Sequence, residues 1–208
     1  MSGFDDANFP DWDLDEPVRP PASIRPEPAI GQTDLRGRRV LVGLPGVGWR
    51  SDLRADRPVV QGSRTYVPVL PEYEWYRAES EQTEVFAPLV PIERVWVETL
   101  GVSTSDGEAN RGHDILAKLV SLDAPPRRDP VAVGAASKVT GQRVVHMVLP
   151  EDQAPTERRD LRAVTEPYGS AEGDICVRVA AELDWYRWAW AGRPPSTLAV
   201  PIHLLWLE

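Results

Sequence analysis

From residue 37 onward the apolar residues fall in short runs that mostly alternate with polar ones, divided by proline or glycine. Residues 39–43 (RVLVG) form a β-branched run that closes on glycine. Residues 64–70 (RTYVPVL) and 72–77 (EYEWYR) alternate on either side of Pro71, and 84–90 (EVFAPLV) and 93–100 (ERVWVETL) do so around Pro91. Short alternating runs with turn signals between them predict consecutive antiparallel strands. Pro68 and Pro88 inside these runs predict sheet edges or bulges, because proline cannot donate to a strand ladder.

Helical spacing replaces alternation at residues 108–122, where Ile115, Leu116, Leu119, Val120 and Leu122 recur on one face. Ser105 or Asp106 can cap that helix, and the sequence Asp123-Ala-Pro-Pro ends it. Strands are predicted again at 131–135 and 143–149, the second apolar on both faces and therefore central. Residues 156–164 (TERRDLRAV), between Pro155 and Pro167, read as a short helix.

Residues 175–185 alternate with period two, and the phase then shifts so that Tyr186, Trp188 and Trp190 share a face. A strand continued through a β-bulge accounts for the shift. A helical stripe of Val179, Leu183, Tyr186 and Trp190 is the other reading of 175–190. Residues 197–207 alternate again and can pair back on this segment as a hairpin. No internal repeat stands out. The pattern predicts a strand-rich α+β fold with a mostly antiparallel sheet and two or three short helices, built as one domain over residues 37–208.

Residues 1–36 differ. They hold six prolines and little periodic apolar character, the composition of an extended or disordered arm. Charge concentrates there as well. The 208-residue chain carries a net charge of −9, and residues 1–16 contain six acids and no base. Phe4, Phe9, Trp12 and Leu14 alternate with Asp5, Asp6, Asp11, Asp13, Asp15 and Glu16. Acid prevents collapse and leaves the aromatics available, so the arm suits docking on a basic, apolar groove, its own or a partner's.

The acidic balance argues against direct nucleic-acid binding, which rests on neutralising phosphates. No apolar run nears the roughly 18 residues of a membrane helix, and the acidic start is unlike a secretory signal. A cytoplasmic location is expected. Cys176 is the single cysteine, and His113, His146 and His203 are scattered, so neither an internal disulfide nor a structural zinc site is expected. No cofactor is implied.

Residues 43–51 (GLPGVGWRS) follow a strand and are close to a phosphate-binding loop, which makes a weak nucleotide binder one reading. Trp49 holds the lysine position, however, and no apolar-periodic helix follows. Residues 106–114 carry alternate oxygen ligands like a calcium loop, but Arg111 and Ala117 break that pattern. His113 and Asp114 remain as a conditional acid–base pair. Cys176 with His146 and a carboxylate could make a thiol nucleophile, which needs a base close by. His146 sits between apolar neighbours, as a core histidine would.

Glu72, Glu74, Glu79, Glu81 and Glu84 interleave with Tyr73, Trp75 and Tyr76. Paired acids can do acid–base work. An acidic surface with aromatic anchors is also the composition that steers and holds a basic partner. The expected function is a protein-binding module of the inhibitor, immunity or adaptor kind. Its contact residues would be Phe4, Phe9, Trp12, Asp13 and Asp15 of the arm and Glu72, Tyr73, Glu74, Trp75 and Tyr76 of the hairpin. The alternative is a small hydrolase or transferase using Cys176 and His146 or the acids of 72–84.

Overall fold

The computed structural model describes residues 18–44, 46–101, 124–150, 154–171 and 173–208. The helix expected over 108–122 lies outside them, as do His113, Asp114 and the arm residues Phe4, Phe9, Trp12, Asp13 and Asp15.

The chain is strand-rich α+β, with two curled, mostly antiparallel seven-stranded sheets and two ten-residue helices among the described residues. The first sheet contains β1 (Ser23–Pro28), β2 (Arg39–Leu44), β3 (Gly48–Ala55), β4 (Val59–Gln61), β5 (Arg64–Pro71), β6 (Leu89–Pro91) and β7 (Val95–Gly101). Its order is β1-β7-β2-β3-β5-β4, with β6 on the other side of β5. The second holds β8 (Val131–Ala132), β9 (Arg143–Val148), β10 (Thr156–Ala163), β11 (Tyr168–Gly169), β12 (Ile175–Ala181), β13 (Leu198–Pro201) and β14 (Leu205–Leu207). Its order is β11-β12-β10-β9-β14-β8, with β13 paired to β12. β9 is central, as its two apolar faces predict.

These two sheets are one motif used twice. Gly37-Arg38-Arg39-Val40 matches Gly141-Gln142-Arg143-Val144, and Asp52-Leu53-Arg54-Ala55 returns as Asp160-Leu161-Arg162-Ala163. Glu72, Trp75, Tyr76 and Arg77 return at the same spacing as Glu182, Trp185, Tyr186 and Arg187. Pro91, Ile92, Trp96 and Glu98 return as Pro201, Ile202, Trp206 and Glu208. The registers agree too: Val40 faces Leu53 as Val144 faces Leu161, and a bulge follows each pair. Asp52 and Asp160 occupy those bulges with left-handed backbones, φ 58° and 57°. The absence of a repeat expected from sequence is thus corrected.

The bulge also explains why residues 156–164 do not form the predicted helix. An extra residue breaks period-two alternation and imitates helical spacing, while the segment pairs with β9 and β12 on both sides. The opposite correction applies to 72–77. There Glu72, Trp75 and Tyr76 fall at i, i+3 and i+4 on one face of α1 (Glu72–Glu81). Pro71 precedes that helix, Glu72 and Glu74 favour its first turn, and left-handed Gln82 ends it with its N–H on the Ala78 carbonyl.

α2 (Glu182–Ala191) repeats this plan after Ala181 and ends at left-handed Gly192. Residues 175–190 are therefore strand to Ala181 and helix beyond it. The expected pairing of 175–185 with 197–207 holds as β12 on β13. Each sheet has its own core: Leu35, Val40, Val67, Val95 and Val97 in the first, and Val139, Val144, Val177, Val179 and Leu205 in the second. Part of the proline-rich segment belongs to the first sheet, since β1 pairs along β7 and Ala29 and Leu35 are fully buried.

Leu35→Ala and Leu205→Ala each remove a fully buried side chain from a different sheet. Each is expected to lower the unfolding free energy in urea by about 2–5 kcal/mol. A loss below about 0.5 kcal/mol at either position would place it outside a packed core.

Candidate functional site

The two repeats meet through charged side chains. Glu72 and Glu182, each 1% exposed, are the first residues of the two helices. A carboxylate buried this deeply must be paired, because isolated burial of a charge costs many kcal/mol. The pairing is reciprocal. Glu72 accepts from Arg162 of the second repeat at 3.0 Å, and Glu182 from Arg54 of the first at 3.1 Å. Tyr76 Oη donates to Glu182 and Tyr186 Oη to Glu72, both at 3.0 Å. Asp52 reaches Arg162 at 3.3 Å and Arg143 at 3.7 Å, while Asp160 reaches Arg39 at 2.9 Å and Arg54 at 3.6 Å.

Glu98 pairs with Arg143 at 3.1 Å and Glu208 with Arg39 at 3.3 Å. Arg39 also binds Glu182 at 2.5 Å and Glu72 at 3.1 Å. An interface in which residue i meets j and j meets i is isologous, the geometry of a two-fold dimer. Here it lies within one chain. Tyr76 and Tyr186, at equivalent positions of the two repeats, stack with centroids 5.4 Å apart and planes 26° apart.

Charge balances inside this junction. Arg39, Arg54, Arg143 and Arg162 oppose Glu72, Glu182, Glu98 and Glu208, with Asp52 and Asp160 half-exposed at the rim. Burial works against the Glu182 carboxylate, but Arg39 and Arg162 outweigh it and hold its pKa below the usual value. Burial likewise opposes the Arg39 charge, and Glu182, Glu208 and Glu72 reverse that. Burial and the neighbouring carboxylates push the Tyr76 and Tyr186 hydroxyls well above their ordinary range. Arg39 is thus held charged, Glu182 ionised and both tyrosine hydroxyls neutral. The junction is a lock.

The expected hairpin surface is therefore corrected. Glu72 and Trp75 are buried, and Tyr73 packs edge-on against Tyr186 and Trp190. Of that acidic set, Glu74, Glu79, Glu81 and Glu84 remain exposed, Glu79 beside Arg36 and Glu81 beside Arg77. Nor are Cys176 and His146 brought together. Their strands β12 and β9 flank β10, where His146 stands opposite Arg158 near the strand's start. Cys176 pairs with Pro201 and Tyr168, beyond the far end of the β10 pairing at Ala163↔Val179. Cys176 is buried, and burial together with Arg158 pushes the His146 pKa down. Gly43 and Leu44 end β2 and residues 48–51 already belong to β3, so a strand follows rather than a helix. Among the described residues no group of three or more His, Cys, Asp or Glu could hold a metal ion, and no helix is long and apolar enough to cross a membrane.

One concave site differs between the repeats. A cavity of about 550 Å³ opens between the second half of α1 and the loop after it. Leu70, Trp75, Ala78, Val85 and Ala87 give it apolar walls. Arg36, Asp56, Glu79 and Glu84 carry the charge around it, and Arg36 is already engaged by Glu79 at 2.9 Å and Asp56 at 3.8 Å. In α2 the position of Ala78 is held by Trp188, that of Glu79 by Ala189 and that of Arg36 by Thr140. Sequence reading missed this site because Ala78 is informative only once the repeats are aligned.

No protein-family model matches the chain, and no curated protein or solved structure is significantly similar to it.

Stability should follow the ionisation of Glu182. Its pKa is lower folded than unfolded, so its contribution is complete above the unfolded value of 4.5 and is lost as pH falls through the folded one. Urea midpoints measured from neutral pH downward are expected to drop below that value. Glu182→Gln should lower stability by about 3–5 kcal/mol at neutral pH and flatten the acid limb. An unchanged acid limb in the variant would contradict the assignment.

Proposed function

We propose that the chain is a protein-binding module, of the inhibitor, immunity or adaptor kind, that takes a basic partner at the cavity beside α1. The observation that carries this reading is the exchange of Ala78 for Trp188 between helices that match at Glu72/Glu182, Trp75/Trp185, Tyr76/Tyr186 and Arg77/Arg187. One repeat keeps an open site with Trp75 and Leu70 in its wall, and the other places the largest side chain at the same position. Three acids against one arginine leave that opening negative, which favours a cationic approach and an apolar anchor. The acid-rich residues 4–16 add to the steering.

The buried arginines and glutamates of the junction are spent on one another, which favours binding over catalysis there. Neither the thiol reading nor the nucleotide reading has a convergent set of groups behind it.

Ala78→Trp tests the proposal by giving the first repeat the residue of the second. Immobilised full-length chain should enrich a basic protein. The Trp188→Ala chain should enrich it equally, and the Ala78→Trp chain should not. Titration of that purified partner is expected to show at least about tenfold weaker binding to Ala78→Trp, with unchanged thermal stability. Equal affinity for Ala78→Trp and the parent chain would remove the cavity from the function.

A further inference from the structure

The repeats differ on a second surface, the outward face of β4, β5 and β6. In β5 the inward residues are Val67 and Val69, both buried in the core. Tyr66 and Pro68 alternate with them and so point outward. Val59 stands across from Tyr66 and Leu89 across from Pro68, and both are exposed. Phe86, in the loop that enters β6, is 91% exposed.

The matching face of the second repeat is not apolar in the same way. Cys176 takes the place of Tyr66 and is buried, and Arg178 takes that of Pro68 and lies over the Tyr168 ring at 5.6 Å. Ala199 takes the place of Leu89.

Charge separates the two faces as well. Arg57, Arg64 and Arg94 are exposed around the first, and none of them forms an ion pair among the described residues. Arg64 has the outward parity of Tyr66. Thr165, Asp174 and Leu204 stand at the equivalent positions of the second repeat. Glu84 and Glu93 at the rim reduce the excess but leave it positive.

An apolar face with a positive margin fits an acidic segment bearing bulky apolar residues, and this chain carries one. We infer that residues 4–12 dock in cis on this face. Phe4, Phe9 and Trp12 supply apolar contact, and Asp5, Asp6 and Asp11 meet Arg57, Arg64 and Arg94. Reach is sufficient. The fourteen residues from Phe4 to Pro17 span up to about 48 Å when extended, while β1, at the other edge of the sheet, lies four strand spacings, about 19 Å, from β5. The acidic opening beside α1 repels the same segment, so the two surfaces select opposite ligands. This inference does not rest on the cavity.

Photo-crosslinking in the full chain tests it, with p-benzoylphenylalanine in place of Trp12. Crosslinked peptides are expected to contain residues 57–66 or 86–94 and to come from the monomer band. The charge-reversed chain carrying Arg57→Glu, Arg64→Glu and Arg94→Glu should lose that product by roughly tenfold, with unchanged thermal stability. High salt should lower the yield in the parent. Products that map elsewhere, products confined to a dimer band, or a yield indifferent to charge reversal would each overturn the inference. A further chain combining Phe86→Ser and Leu89→Ser should lose the product while keeping its affinity for any partner of the α1 cavity. That separates failure here from failure of the proposed function.

Discussion

Two glutamates that cannot be left alone organise this molecule. Glu72 and Glu182 begin the two helices at the junction of the repeats and are almost wholly removed from solvent. Each is satisfied partly from its own repeat and partly from the other: Glu72 by Arg39, Arg54 and Arg162, Glu182 by Arg162, Arg39 and Arg54. Separating the repeats would strand charged groups on both sides. Replacing a buried ionic set by apolar residues is often neutral or stabilising, so the network is better understood as fixing how the halves meet than as a source of stability. Its charges match only when Asp52 and Asp160, on their equivalent bulges, reach across to the opposite arginines.

Symmetry of this kind makes departures from it informative. Apart from Arg39, which reaches both helix glutamates where Arg143 reaches Glu98 and Asp52, the junction is matched in both halves, down to the stacked tyrosines, because each side supplies the other's counter-charges. Away from the junction that constraint is absent, and there the repeats diverge. Ala78 opposite Trp188 leaves one open cavity, and Tyr66 with Pro68 opposite Cys176 with Arg178 leaves one apolar outer face. Both differences fall on the first repeat. A duplicated scaffold has in this way become a one-sided molecule, with an acidic concave site and a basic convex one.

Much of the strand content was legible in the chain because alternation and its punctuation by proline and glycine follow directly from pleat geometry. β2, β5, β9 and the β12–β13 pairing were all readable in this way. Helices α1 and α2 were not. Six residues such as EYEWYR satisfy period two and an i, i+3, i+4 stripe alike, and the buried glutamate that decides between them looks like a surface acid until its arginines are known. β10 failed in the opposite sense, since its bulge removes the alternation that marks a strand. The repeat itself was hidden by short matches separated by loops of unequal length. The acid and aromatic residues at 72–84 were rightly noticed, but the aromatics and Glu72 serve the interior, leaving Glu79 and Glu84 at the cavity edge.

The claim that one reciprocal network locks the two repeats is tested most directly by a double-mutant cycle across the junction. Glu72→Gln, Arg162→Gln and the combined variant would be unfolded in urea, with tryptophan fluorescence and far-ultraviolet circular dichroism followed together. Direct contact at 3.0 Å in a buried setting predicts an interaction energy of about 1–3 kcal/mol and coincident transitions in the parent chain. Additivity within about 0.5 kcal/mol, or separate transitions for the two sheets in the parent, would show that the repeats are held together by something other than this network.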